Sequence, residues 1–131
     1  MSGPHVILQF ALVAIGGALG ASLRFFVSSW LIKHSHSGFP YGTFTVNVLG
    51  SFLFGIFFVV IFSMTDLREH LRLAVLVGFM GAFTTFSTFS FETVRLLEEG
   101  QLLMSLLNVT SNVVVCLLAY WGGSLLAKQF L

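Results

Sequence analysis

Four apolar stretches, at residues 6–32, 42–63, 71–97 and 102–127, take up most of the chain and leave only short polar connections between them. A helix needs about 20 mostly apolar residues to cross a bilayer. Each stretch meets that length, and in lipid a helix satisfies its own backbone hydrogen bonds. The expected fold is therefore an all-α membrane protein, one domain of four transmembrane helices with no water-soluble module. Composition agrees: only 8% of the 131 residues are charged and 56% are hydrophobic, against roughly 25% charged in soluble domains. A net charge of +1 offers no basic patch for a nucleic acid. The partner expected instead is the lipid bilayer. The apolar stretch at 6–32 is longer than the core of a cleavable signal and no basic segment precedes it, so the first helix is expected to stay in the mature protein.

Small residues recur at four-residue spacing, as Gly16 and Gly20, Ser51 and Gly55, and Ala119 and Gly123. That spacing lets two membrane helices approach closely. Arg24 lies well inside the first span, at a depth where a charge faces protein or water, snorkels, or draws in anions. His34 and His36 share a short loop and lack a third metal ligand nearby. Asn47 is an amide in an otherwise apolar second span, either glue between helices or a donor to an anion in transit. Cys116, alone of its kind, reads as a small buried hydrophobe. Asn108, Thr110, Ser111 and Asn112 crowd four polar groups into little more than one turn of the fourth span, so they must face protein or an aqueous path. Asn108-Val109-Thr110 matches a glycosylation acceptor, but its place inside a span excludes that use.

The third span is the unusual one. Its clean apolar part runs only over 73–83, too short to cross, so the crossing continues through Thr84-Thr85-Phe86-Ser87-Thr88-Phe89-Ser90. Gly78 and Gly81 precede this run of hydroxyls, and a span interrupted in this way points to a discontinuous helix with a binding site. The third helix is therefore expected to be broken near its middle, with Glu92 and Arg95 paired beyond it. Thr85-Phe86-Ser87 repeats at once as Thr88-Phe89-Ser90, which places Phe86 with Phe89, Thr85 with Thr88 and Ser87 with Ser90 on short slanted stripes. Ring edges carry positive charge, and hydroxyls donate, so such a wall suits a small anion. Ring faces attract cations instead, and the rings alone do not decide the sign. Basic residues divide evenly: Arg68, Arg72 and Lys128 on one side, Lys33, Arg95 and Arg24 toward the other. The positive-inside rule then gives no direction, and a chain without bias can insert both ways and pair with an oppositely oriented copy.

The segments Gly42-Thr43-Phe44-Thr45-Val46-Asn47-Val48-Leu49-Gly50-Ser51-Phe52, Gly78 to Ser90, and Gly16-Gly17-Ala18-Leu19-Gly20-Ala21-Ser22-Leu23-Arg24-Phe25 resemble the signatures of the Fluc/CrcB fluoride channels. The resemblance covers the chain in length and span order. It implies a dual-topology antiparallel homodimer with two pores, in a plasma or inner membrane, passively exporting cytoplasmic fluoride. It also implies that Asn47, Phe86 and Phe89 line the pore. Thr85, Ser87, Thr88, Ser111 and Asn112 are expected along the fluoride path and Arg24 in the vestibule. A structural sodium ion at the dimer centre is expected on the backbone carbonyls of Gly81 and Thr84. Ala82 stands where members of the family often carry a glycine. Two other readings remain. A small multidrug-type proton-coupled transporter needs a carboxylate in its first helix, and the first acidic residue here is Asp66. A non-transporting accessory subunit would use the glycines for packing and the phenylalanines as core.

Overall fold

The computed structural model describes residues 3–131. Helix α1 spans Pro4–His34 and α2 spans Tyr41–Ser63. Helix α3 covers 68–83 and changes character along its length: one α turn at Arg68–Leu71, a π-helical stretch at Arg72–Met80, and a last α turn at Gly81–Phe83. Thr84 (φ −84°, ψ 158°) and Thr85 (φ −149°, ψ 115°) are extended, and α4 begins at Phe86 and runs to Glu98. Helix α5 spans Leu102–Lys128. Together α3 and α4 form one crossing, Arg68–Glu98, so the chain holds four segments long and apolar enough to span a membrane.

The turns between spans follow from local chemistry. Gly100 has φ +75°, the left-handed conformation that a residue without Cβ adopts freely. It ends α4 with the Gly100 amide donating to the Leu97 carbonyl and the Gln101 amide to the Leu96 carbonyl, at 3.0 and 2.8 Å. These two bonds are the Schellman pattern, and they satisfy carbonyls that a helix end would leave bare. Pro40 precedes α2, where its missing N–H costs nothing.

Packing pairs α2 with α5 and α1 with α3 most extensively. The small residues account for both pairings. A Cβ on Gly55 would overlap the Tyr120 carbonyl oxygen, and one on Gly123 would overlap the Phe52 carbonyl oxygen. Without hydrophobic force between helices in lipid, such close approach is what supplies dispersion contact. Val46, Met80 and Phe83 are fully buried at the centre, with Val27, Leu53, Phe54, Phe57 and Phe79 around them. Large apolar side chains such as Phe10, Phe25 and Trp30 lie on the outside, which suits a surface solvated by acyl chains.

One expected contact does not form. Arg95 pairs with Glu99 at 3.5 Å rather than with Glu92. Glu92 turns inward instead, where its Oε1 accepts from the Thr43 hydroxyl at 2.8 Å and its buried Oε2 has no hydrogen-bond partner among the described residues. The i,i+4 partner lies at the exposed end of the helix, while Glu92 faces α2.

Candidate functional site

Backbone groups released where a helix gives way need partners elsewhere. Asn47 provides them at Thr85. Its Oδ1 accepts from the Thr85 amide at 2.8 Å and its Nδ2 donates to the Thr85 carbonyl at 3.2 Å. The side-chain amide thus pairs with Thr85 much as a neighbouring strand would. Thr85 in turn caps α4: its hydroxyl accepts from the Thr88 amide at 3.2 Å and donates to the Thr88 hydroxyl at 3.0 Å. A β-region residue with a side-chain oxygen toward the third amide is the standard N-cap geometry.

The second N–H of Asn47 donates to Asn112 Oδ1 at 3.2 Å. The Thr85 amide fixes which Asn47 atom is the oxygen, so the donor direction is set from there onward. Asn112 Nδ2 donates to Asn108 Oδ1 at 2.9 Å and to the Asn108 carbonyl at 2.9 Å. Asn108 Nδ2 donates to the Thr93 hydroxyl at 2.9 Å, and that hydroxyl donates to the Phe89 carbonyl at 2.7 Å. A polarised line of hydrogen bonds therefore joins α2, α5 and α4 and closes on Phe89. Asn108 and Asn112 are both buried, and satisfied amides of this kind stiffen a membrane bundle.

Phe86 and Phe89 sit one turn apart with ring centroids 5.3 Å apart and planes at 51°. Phe89 is buried, whereas Phe86 is 78% exposed. Both line a cavity of about 430 Å³ together with Asn47, Thr84, Thr85 and Asn112, and Cys116 and Tyr120 are also in its wall. A second cavity, of about 390 Å³, is lined by Thr88, Glu92 and Arg95 with Ser35 and Ser37 from the α1–α2 loop. The Thr85 and Thr88 hydroxyls, one on each cavity, are in direct hydrogen-bond contact.

Not every residue singled out by the sequence joins this group. Ser87 lies at its edge, its hydroxyl 3.3 Å from that of Thr85. Ser111 lies apart, donating to its own helix at the Leu107 carbonyl, 2.6 Å away. Arg24 is not among the residues lining either cavity; its Nε donates to the Ala82 carbonyl at 2.9 Å. Gly81 is in the last turn of α3 and Thr84 in the extended pair, where the Thr84 hydroxyl donates to the Met80 carbonyl at 3.0 Å. His34 Nδ1 lies 2.7 Å from the Trp30 carbonyl, and no group of three or more potential metal-ligating side chains forms among the described residues. The sequence reading placed Asn108 against protein or an aqueous path without separating it from Thr110 and Ser111, and it missed Thr93 as a link in the line and Glu92 as an inward-facing carboxyl. The i,i+4 spacing of Asn108 and Asn112, which stacks two amides on one face, is the signal that separates them from Thr110 and Ser111.

Residues 11–124 match the family model described as CrcB-like protein, Camphor Resistance (CrcB). Curated relatives of the chain carry the name fluoride-specific ion channel FluC. That of Methylococcus capsulatus is 50% identical over 122 residues, which cover 93% of this chain and 54% of that protein. That of Geobacter metallireducens is 42% identical over 123 residues, covering 94% and 99%. That of Hahella chejuensis is 42% identical over 131 residues, the full length of both. The chain thus spans about half of the first relative and essentially all of the other two. Four membrane-crossing segments and a match along nearly the whole length agree: the chain is a multi-pass membrane protein, not an enzyme, and belongs to the CrcB family of fluoride channels.

Proposed function

We propose that the chain is a fluoride-selective channel that passively exports cytoplasmic fluoride, with Asn47, Phe86 and Phe89 lining each pore. The observation that carries this reading is the cavity in which the two phenylalanines, the Asn47 amide and the Thr85 hydroxyl converge. Fluoride must exchange its hydration shell for fixed donors. Ring edges supply positive electrostatic potential without a full charge, so the anion is held weakly enough to leave. Both N–H groups of Asn47 are already engaged, at Thr85 and Asn112. An anion reaching Asn47 therefore takes the place of Asn112 Oδ1, exchanging a neutral acceptor for a charged one. From there the path crosses the Thr85 and Thr88 hydroxyls into the second cavity, with Ser87 alongside.

The working unit is an antiparallel homodimer of dual topology with two pores, in the cell membrane. Its support is the exposure of Phe86 beside an open cavity and the even division of basic residues between the two sides. The structural sodium ion fits the chemistry of the α3 end. The carbonyls of Gly81 and Thr84 have no hydrogen-bond donor among the described residues, and carbonyl oxygens are hard ligands for a hard cation. When bound, the ion supplies a fixed positive charge between two copies.

Phe89→Ile and Phe86→Ile test the reading in liposomes. Each is expected to slow fluoride efflux about tenfold or more while gel filtration shows an unchanged dimer. Unchanged efflux, or loss of the dimer in both variants, makes the rings structural.

A further inference from the structure

Three successive turns of α1 address three carbonyls of α3. Gly16, Gly20 and Arg24 are four residues apart and share one helix face. A Cβ on Gly16 would overlap the Ala74 carbonyl oxygen and one on Gly20 the Phe79 carbonyl oxygen, so the two backbones touch there. Arg24, next on the stripe, donates from Nε to the Ala82 carbonyl at 2.9 Å. The pairs rise together along both helices, which therefore run parallel. Four residues of α1, from Gly16 to Gly20, match five of α3, from Ala74 to Phe79. The π-helical stretch at Arg72–Met80 absorbs that extra residue.

Of the three carbonyls, that of Ala82 lacks a partner of its own. In a continuous helix it would accept from the Phe86 amide four residues on, and the extended Thr84 and Thr85 stand between. Inside a membrane protein a freed carbonyl of this kind needs a partner from protein or from a water-lined cavity. Arg24 forms no ion pair among the described residues, so its one recorded bond is to this carbonyl. We propose that Arg24 is a positioning residue: it caps the C-terminal end of α3 through Ala82 and thereby fixes where Thr84, Thr85 and the ring-bearing first turn of α4 begin. The proposal rests on the channel reading for its consequence, not for its geometry. It differs from a vestibule charge in one decisive way. Attraction of an anion needs the charge and weakens with salt, whereas a cap needs only the N–H.

The test uses the full-length protein with Arg24→Met, Arg24→Lys and Arg24→citrulline, the last a neutral group of the same shape that keeps the Nε–H. Amide exchange over residues 84–88 and fluoride efflux at low and high ionic strength are both followed. Arg24→Met is expected to raise exchange about tenfold or more and to slow efflux equally at both ionic strengths. The citrulline variant should match the unmodified protein in exchange and efflux, and Arg24→Lys should recover part of each. Unchanged exchange in Arg24→Met overturns the proposal, whatever the flux. So does a citrulline variant that loses as much flux as Arg24→Met, with the loss largest at low salt. If the unmodified protein passes no fluoride, the channel reading fails and exchange alone still decides the role of Arg24.

Discussion

Asn47 commits every hydrogen-bonding atom of its amide, the oxygen and one N–H to the backbone of Thr85 and the other N–H to Asn112. The residue first read as either glue or an anion donor has the geometry of the former, and the latter requires displacement of Asn112. Thr43 plays a related part for Glu92, whose carboxyl has that hydroxyl as its single hydrogen-bond partner among the described residues. Thr43→Val keeps the shape and removes the donor, which should lower stability by about 1–3 kcal/mol. Thr43→Ser should stay near the unmodified protein. Thermal unfolding in detergent reads both, and equal stability of Thr43→Val would show that the bond is dispensable. At this scale the sequence was only partly legible. Its repeat placed Phe86 and Phe89 together, because three-residue spacing on a helix is a local rule. It did not separate Asn112 from Ser111. A serine hydroxyl can return to its own helix, as Ser111 does at the Leu107 carbonyl, so it needs no partner across the bundle. The longer amides of Asn108 and Asn112 meet other helices, and their partners, up to 65 residues away in the chain, are set by tertiary packing.

The elements divide into those that length and hydropathy determine and those that packing determines. The four crossings follow from composition alone. The conformational change between α3 and α4 does not. Gly78 and Gly81 drew attention to 81–84, yet both glycines are helical and the extended residues are Thr84 and Thr85. Neither has positive φ, so no glycine is needed. Thr85 is held by Asn47 from α2, a long-range contact that local propensity does not encode, while Thr84 bonds the Met80 carbonyl. The glycines act as contact surfaces. Gly55→Ala should cost about 1–3 kcal/mol, since the Tyr120 carbonyl fills the space and α2 and α5 must part. Gly122→Ala, on the same α5 but facing open space, should be neutral or up to about 1 kcal/mol stabilising. Unfolding midpoints of the two variants measure the contrast; a loss in both would mean that glycine serves helix flexibility instead of packing.

At the scale of the whole molecule, the two phenylalanines of the cavity wall differ in exposure. Phe86 stands exposed beside an open cavity while Phe89, one turn away, is buried. In the proposed dimer, the second copy covers this exposed side. Within one chain, Arg24 from α1 bonds the backbone at Ala82 and Asn47 from α2 bonds it at Thr85, on either side of Phe83 and Thr84. The most direct measurement is ion efflux from liposomes containing the purified protein, with fluoride and chloride electrodes in parallel. Rapid fluoride release with no chloride release above that of protein-free liposomes is the predicted result. No fluoride release, or chloride release at an equal rate, would contradict the account.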